Sequence, residues 1–372
     1  MELFYYAYII VCTVQILVLG FIWMGFGKYS EPSERLVKSV SVIVAVKNEV
    51  ENVQGLVESL CSQNYDDYNV IIVDDYSDDG SFESLELLSS KYEKLNVVRG
   101  TYPLSQSSKK SALSHGISLS KAEYLLFTDA DCIPRSNNWI QSMVNHTKRN
   151  DIVLGVSPYT TQTGLVNSMI QYETKITYFL YSAAALLGLP YMGVGRNLLI
   201  KKELLRSVGF YDSHKDVVGG DDDLTINRIA NSRNTTVNLS PEGVVNSFPL
   251  QSYRERITQK LRHFSVGKYY SFKSKMILGI VNASWIAVNF LFIICLVFNI
   301  ELLSIISLHI LRTLLLFLIF GGLTKLNKVN SVGLKSVYLD NLYSLELLIL
   351  GPLGLLSKKI VWQKKKNFRK KP

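Results

Sequence analysis

An α/β domain with a mostly parallel, doubly wound sheet is predicted for residues 41–267, and three features of the sequence predict it. Short β-branched apolar runs alternate with stretches of helical spacing, as strands and crossover helices do in such sheets. Acidic clusters follow several of those runs, where a doubly wound sheet places its ligands. Long uncharged apolar stretches flank the domain on both sides.

Residues 40–46 are almost wholly β-branched, as a strand buried on both faces would be. Helical spacing over 52–60 leads to a second apolar strand at 69–73. An amphipathic helix is expected at 82–92, a short strand at 95–98, a helix at 111–120 and a strand at 124–128.

The flanks read as membrane segments. Residues 3–26 are uncharged and long enough to span the hydrocarbon layer as a helix. No basic residue precedes this run and it is too long for a signal peptide, so an anchor over 1–27 is expected. Lys28, Arg35 and Lys38 follow it, which by the positive-inside rule places the domain (28–267) in the cytosol, on a multi-pass protein of the cell membrane. Residues 277–323 form a second membrane element, a helical hairpin. His309 and Arg312 lie inside it and are expected to face another helix or the head groups. Glu346 and the Gly351-Pro352 pair interrupt the apolar segment within 338–372, which is therefore expected to be interfacial or re-entrant and to lead into a basic tail.

Charge and cysteine content narrow the function classes. The net charge is +9, but eight of the basic residues lie at or beyond Lys358, leaving about +1 for the rest. A basic tail beside an apolar segment fits anionic membrane lipids, and no nucleic-acid partner is expected. Cys12, Cys61, Cys132 and Cys295 lie far apart without metal-ligand spacing and are expected to be reduced. The sequons at Asn145 and Asn234 carry no weight in a cytosolic domain.

Four motifs carry chemistry. VAVKNE, ending in Glu49, and IIVDDYSDDG, with Asp74 and Asp75, place carboxylates at strand ends, where they can accept hydrogen bonds from a base and ribose. A turn explains either cluster taken alone. Asp129 and Asp131 follow the strand YLLF; at i and i+2 of extended chain they point the same way, as ligands of one hard cation, Mg²⁺ or Mn²⁺, would. Helix capping is the competing reading. Asp221, Asp222 and Asp223 after Gly219-Gly220 repel one another, and capping explains one aspartate better than three; a carboxylate here can take the proton of an acceptor hydroxyl. Gln259 and Arg262 share a helix face ahead of the hairpin. Lys109 and Lys110 open a helix and can meet phosphate, or simply be solvated.

In this order the motifs resemble the family 2 inverting glycosyltransferases, which include the ceramide glucosyltransferases and poly-N-acetylglucosamine synthases. The resemblance covers residues 41–267 and implies a GT-A type domain that binds a nucleotide-sugar, UDP-linked in most of the family. It implies that Glu49, Asp74, Asp75, Lys109 and Asp129 hold the donor, that Asp129 and Asp131 bind the metal, and that Asp221 is the base, with Asp222 as the alternative. It places Gln259, Arg262 and His263 at the acceptor and diphosphate, with Arg196 approaching the acceptor, a lipid or lipid-linked glycan. Residues 178–194 then form an acceptor wall or an ordinary core helix. The sequence departs from the family pattern at Ala45 (usually proline), Gly220 (usually glutamate) and His263 (usually tryptophan); the last implies transfer of one or a few sugars. A non-catalytic nucleotide-sugar sensor or synthase assembly partner is the second reading, and the intact acidic motifs weigh against it.

Overall fold

The computed structural model describes residues 1–103, 108–211, 217–250, 252–329 and 333–357. The basic tail from Lys358 lies outside the described residues. In chain order the elements are α1 (Glu2–Phe26), β1 (Val40–Val46), α2 (Val53–Cys61), β2 (Tyr68–Asp74), α3 (Ser81–Ser89), β3 (Leu95–Arg99), α4 (Lys109–Leu119) and β4 (Tyr124–Phe127). Then come β5 (Cys132–Pro134), α5 (Trp139–Asn145), β6 (Ile152–Leu154), α6 (Leu165–Leu186), β7 (Leu198–Lys201), α7 (Lys202–Ser207), α8 (Asp223–Ile229), β8 (Thr235–Val237) and β9 (Val245–Ser247). The chain continues through α9 (Tyr253–Gly267), α10 (Phe272–Val297), α11 (Leu302–Leu326) and α12 (Ser336–Leu356).

Seven strands form one sheet in the order β3-β2-β1-β4-β7-β6-β8, parallel except that β7 runs against β4 and β6. Strand order reverses between β1 and β4, which opens the crevice at their carboxyl ends. All seven residues of β1 are buried because both sheet faces are covered. Val40, Val42, Val44 and Val46 enter the core under α2 and α5, whereas Ile43 and Ala45 enter the core under α4 and α6. That second core continues through Phe179 of α6 to Leu19, Ile22, Leu316 and Phe320 on the membrane-type helices. Helix α6 therefore joins sheet to bundle, and residues 178–186 are spent on packing.

Among the described residues four helices, α1, α10, α11 and the one over Gly333–Leu356, are long and apolar enough to cross a membrane, with mean hydropathies of 2.3, 2.3, 2.3 and 1.3 over their most apolar stretches. They mark a membrane protein. Arg312 does face other helices: it pairs with Asp340 of α12 and donates from Nη2 to Gln15 of α1 at 2.9 Å. Tyr172 of α6 and Trp285 of α10 each donate to Asp340 at 2.7 Å. One buried carboxylate thus gathers donors from α6, α10 and α11, which matches its charge without water. His309 stacks on Phe292 with centroids 3.7 Å apart and meets Tyr8 Oη at 3.2 Å. Helix α12 continues through Gly351-Pro352.

Candidate active site

A crevice at the carboxyl end of β4, beside β7, is lined by Lys109, Thr128, Asp129, Gly195, Tyr211 and Asp221, among others. Lys109 is the first residue of α4, whose N-cap Ser108 accepts from Ser111 N. A cation at a helix N-terminus is unfavourable by itself. Here two carboxylates offset that cost: Lys109 Nζ lies 2.8 Å from Asp129 and 2.9 Å from Asp221. Burial works against the ammonium, but Asp129, Asp221 and Asp222 outweigh it and hold its pKa well above the usual lysine range. Lys110 points elsewhere, donating to the Val217 carbonyl at 2.7 Å.

The three consecutive aspartates have separate partners. Asp222 is the N-cap of α8, accepting from Asp223 N at 2.8 Å and from Gly195 N at 2.6 Å. Asp223 accepts from Leu224 N and from Tyr270 Oη, both at 2.8 Å. Asp221 turns to Lys109. Burial alone would raise the Asp221 pKa, but Lys109 prevails and lowers it. Burial and then Asp221 push Asp222 upward, and burial and then Asp222 push Asp223 up to about 8.

Gly220 accounts for the departure from the family's glutamate. Its φ is +72°, and a Cβ there would meet Leu224 Cδ1 at 2.6 Å. A side chain at such a φ costs about 1–2 kcal/mol before any clash. Gly220→Ala is expected to lower the melting temperature and to cut transfer at least about tenfold by displacing the segment that carries Asp221. Thermal unfolding in detergent and a transfer assay read both.

Asp131 stands beside Asp129; burial first and the Asp129 charge second raise its pKa, so the pair is short of positive charge. Two hard oxygen ligands in a partly buried crevice fit Mg²⁺ or Mn²⁺. Among the described residues no three His, Cys, Asp or Glu side chains close on one point, so such an ion would complete its shell with diphosphate and water.

The remaining predicted residues fall around this centre. Asp74 accepts from Ser77 N at 3.1 Å and faces Arg99 at 3.6 Å. Asp75 is held by Lys47 at 3.2 Å and Tyr102 Oη at 2.6 Å. Glu49 lies in the loop past β1, not at its end, and accepts from Asn52 Nδ2 at 2.6 Å. Gln259 donates to Tyr159 Oη at 3.2 Å, and the Arg196 guanidinium lies 4.4 Å from the Tyr159 ring centre with its Nη1 buried and unpartnered. The Arg262 stem packs beneath Gly219, and the Arg262 charge reaches His263, the next residue on the helix. Sequence reasoning passed over Lys47, Tyr102, Tyr159 and Tyr270. Lys47, the residue after β1, and Tyr102, three residues past β3, stand at the carboxyl edge of the sheet, where a strand-end argument can find them.

Two family models match. Glycosyl transferase family group 2 covers residues 126–324, more than half of the chain, and Glycosyl transferase family 2 covers 41–209. The chain belongs to the family 2 glycosyltransferases. It is 28% identical to Glycosyltransferase AglE of Haloferax volcanii over 196 residues, 49% of this chain and 58% of that protein. It is 27% identical over 213 residues to the poly-beta-1,6-N-acetyl-D-glucosamine synthase of Staphylococcus epidermidis, 53% of this chain and 49% of that one. It is 31% identical over 115 residues to the beta-monoglucosyldiacylglycerol synthase of Trichormus variabilis, 30% of this chain and 24% of that one. The matches thus span roughly a quarter to three fifths of these relatives. The fold is shared with a mannosyltransferase of Pyrobaculum calidifontis solved with GDP-Man and Mn²⁺, at a TM-score of 0.59 and 17% identity, covering 93% of this chain and 99% of that one.

Proposed function

We propose that this protein is a membrane-bound inverting glycosyltransferase that moves a sugar from a nucleotide-sugar, UDP-linked by preference, to a lipid or glycan acceptor at the cytosolic face. The observation that carries this reading is Lys109, whose ammonium touches both Asp129 and Asp221. The diphosphate-facing carboxylate and the candidate base therefore lie within the reach of one bound sugar diphosphate.

Asp74, Asp75 and Glu49 hold the nucleoside at the carboxyl edge of β2 and β1. Asp129 and Asp131 would hold Mg²⁺ or Mn²⁺, which supplies positive charge to the departing diphosphate. Lys109 turns from its carboxylates to phosphate when the donor arrives. Asp221, ionised beside Lys109 before the donor arrives and freed when Lys109 turns to phosphate, takes the acceptor proton as the hydroxyl attacks the anomeric carbon and the nucleotide diphosphate leaves. Asp222 orients that base by fixing the start of α8 to the Gly195 amide. Gln259, Arg262 and His263 on α9, with Arg196, face the diphosphate and the acceptor. The names of two relatives, a beta-monoglucosyldiacylglycerol synthase and a poly-beta-1,6-N-acetyl-D-glucosamine synthase, support a lipid or glycan acceptor. The membrane-type helices beside α9 support the same.

The test is nucleotide release by detergent-purified protein over a panel of UDP- and GDP-sugars with Mn²⁺ or Mg²⁺. One donor turned over and silenced by chelator is expected. Tight binding of a nucleotide-sugar without metal-dependent turnover of any would leave a sensor in place of an enzyme.

A further inference from the structure

Helix α9 has two working faces. One bears Gln259 toward Tyr159 and Arg262 toward Gly219, and the other bears Arg256, Lys260 and Phe264 toward α12. Helix α9 starts in a capping box, Ser252 and Glu255 bonding each other's backbone amides, so its beginning is set locally. Its axial position is not. That depends on what Arg256 and Lys260 grip, because both are only 2% exposed.

They grip two carboxylates. Glu346 of α12 accepts from Arg256 Nε at 3.2 Å, pairs again with Arg256 through its other oxygen, and meets Lys260 Nζ at 3.0 Å. Glu173 of α6 faces the same two cations at 2.7 and 3.2 Å. Two anions and two cations thus close a buried cluster in which each charge has two partners. A second fastening lies two turns further along both helices. Gly354 lies so close to α9 that a methyl group there would collide with Phe264 Cβ and approach the Leu261 carbonyl oxygen at 3.2 Å. Lys268 Nζ then donates to the Ser357 carbonyl at 3.3 Å. The contacts ascend together, so the helices run parallel and side by side. At its other end α12 is pinned by Asp340 to Arg312.

We infer that Glu346 is a positioning residue for sugar transfer: through Arg256 and Lys260 it sets where along its axis α9 presents Gln259 and Arg262, and Gly354 sets how near α12 approaches. Helix α12 also packs against α6 and α10, but α9 is the neighbour that carries Gln259 and Arg262, so the effect of α12 on those two side chains runs through α9. The inference rests on the proposed role of α9 at the diphosphate and acceptor. An apolar helix carrying an acidic residue is explained by it: the carboxylate at 346 faces α9 and not lipid.

The experiment compares Glu346→Gln, Gly354→Ala and Leu348→Ala in full-length protein in detergent, with Gln259→Ala beside them. Leu348 is 46% exposed on the outer side of α12 and serves as control. Affinity for the nucleoside alone, which the proposed function places at Asp74 and Asp75 and away from α9, checks folding. A displacement of about 1 Å at a positioned group costs on the order of 10²-fold in rate. Glu346→Gln and Gly354→Ala are therefore each expected to lower kcat by roughly that factor with nucleoside affinity nearly unchanged, while Leu348→Ala behaves as wild type. Transfer close to wild type in both variants overturns the inference, as does a loss of nucleoside affinity in proportion to kcat, which would mean general misfolding. If Gln259→Ala itself leaves transfer intact, the reading of α9 fails first and separately.

Discussion

Asp221→Asn is expected to lower the transfer rate by about 10³-fold, within the range a positioned general base supplies, while the protein binds nucleotide-sugar almost as before. The partners of the three aspartates set Asp221 apart. Asp222 has both oxygens engaged by backbone amides, Gly195 N and Asp223 N, and Asp223 has Leu224 N and Tyr270 Oη. Asp221 alone of the three meets a mobile cation on a long side chain, which can leave for a phosphate. Lys109 also keeps its carboxyl ionised against the pull of burial until the donor arrives, so Asp221 enters the reaction as the carboxylate, and burial favours its protonation once Lys109 has left. Asp222→Asn should act differently. The amide oxygen still accepts one backbone N–H, and the variant should lose stability and a smaller part of the rate. Donor binding by calorimetry and transfer by product analysis distinguish the two. A nearly active Asp221→Asn beside a dead Asp222→Asn moves the base to Asp222.

The α/β domain is legible in the sequence because its central strands are buried twice over. Every residue from Val40 to Val46 is enclosed, so the run carries no polar face to confuse with a helix. The antiparallel β7 is not legible in that way, being four residues long and lying between a glycine-rich loop and α7. At the site, the strand-end carboxylates at 74, 75 and 129 follow from the sheet alone. That Lys109 bridges Asp129 and Asp221 does not, because the three stand on segments that only the strand order brings together. The choice between Asp221 and Asp222 stays open in the sequence for a related reason: the cap on α8 and the Gly195 amide are invisible in a run of three like residues. Helix α12 is the hardest segment to read. Asp340 and Glu346 look like obstacles to burial until Arg312, Arg256 and Lys260 arrive from distant helices to match them.

Asp131→Asn is expected to remove the metal dependence of nucleotide binding and to cut turnover by about 10²–10³-fold, the scale of losing one charge-stabilising contact at a reacting centre. Asp131 is pushed upward by burial and by its neighbour Asp129, which is the signature of a carboxylate that gains from a cation. Lys109 meets only part of that need, since it shares its charge with Asp221. An ion bound to the pair should thus stabilise the folded protein by mass action, raising the melting temperature with Mn²⁺ concentration and more so with nucleoside diphosphate present. Wild type should bind UDP or GDP more tightly with Mn²⁺ than with chelator. In Asp131→Asn the two affinities should converge, with the metal-free affinity left near wild type because the base and ribose contacts lie at the β2 edge. A wild-type protein whose melting temperature and nucleotide affinity ignore Mn²⁺ and Mg²⁺ alike would show that Asp129 and Asp131 serve Lys109 and not a metal. Diphosphate departure would then depend on Lys109, Arg196 and Arg262.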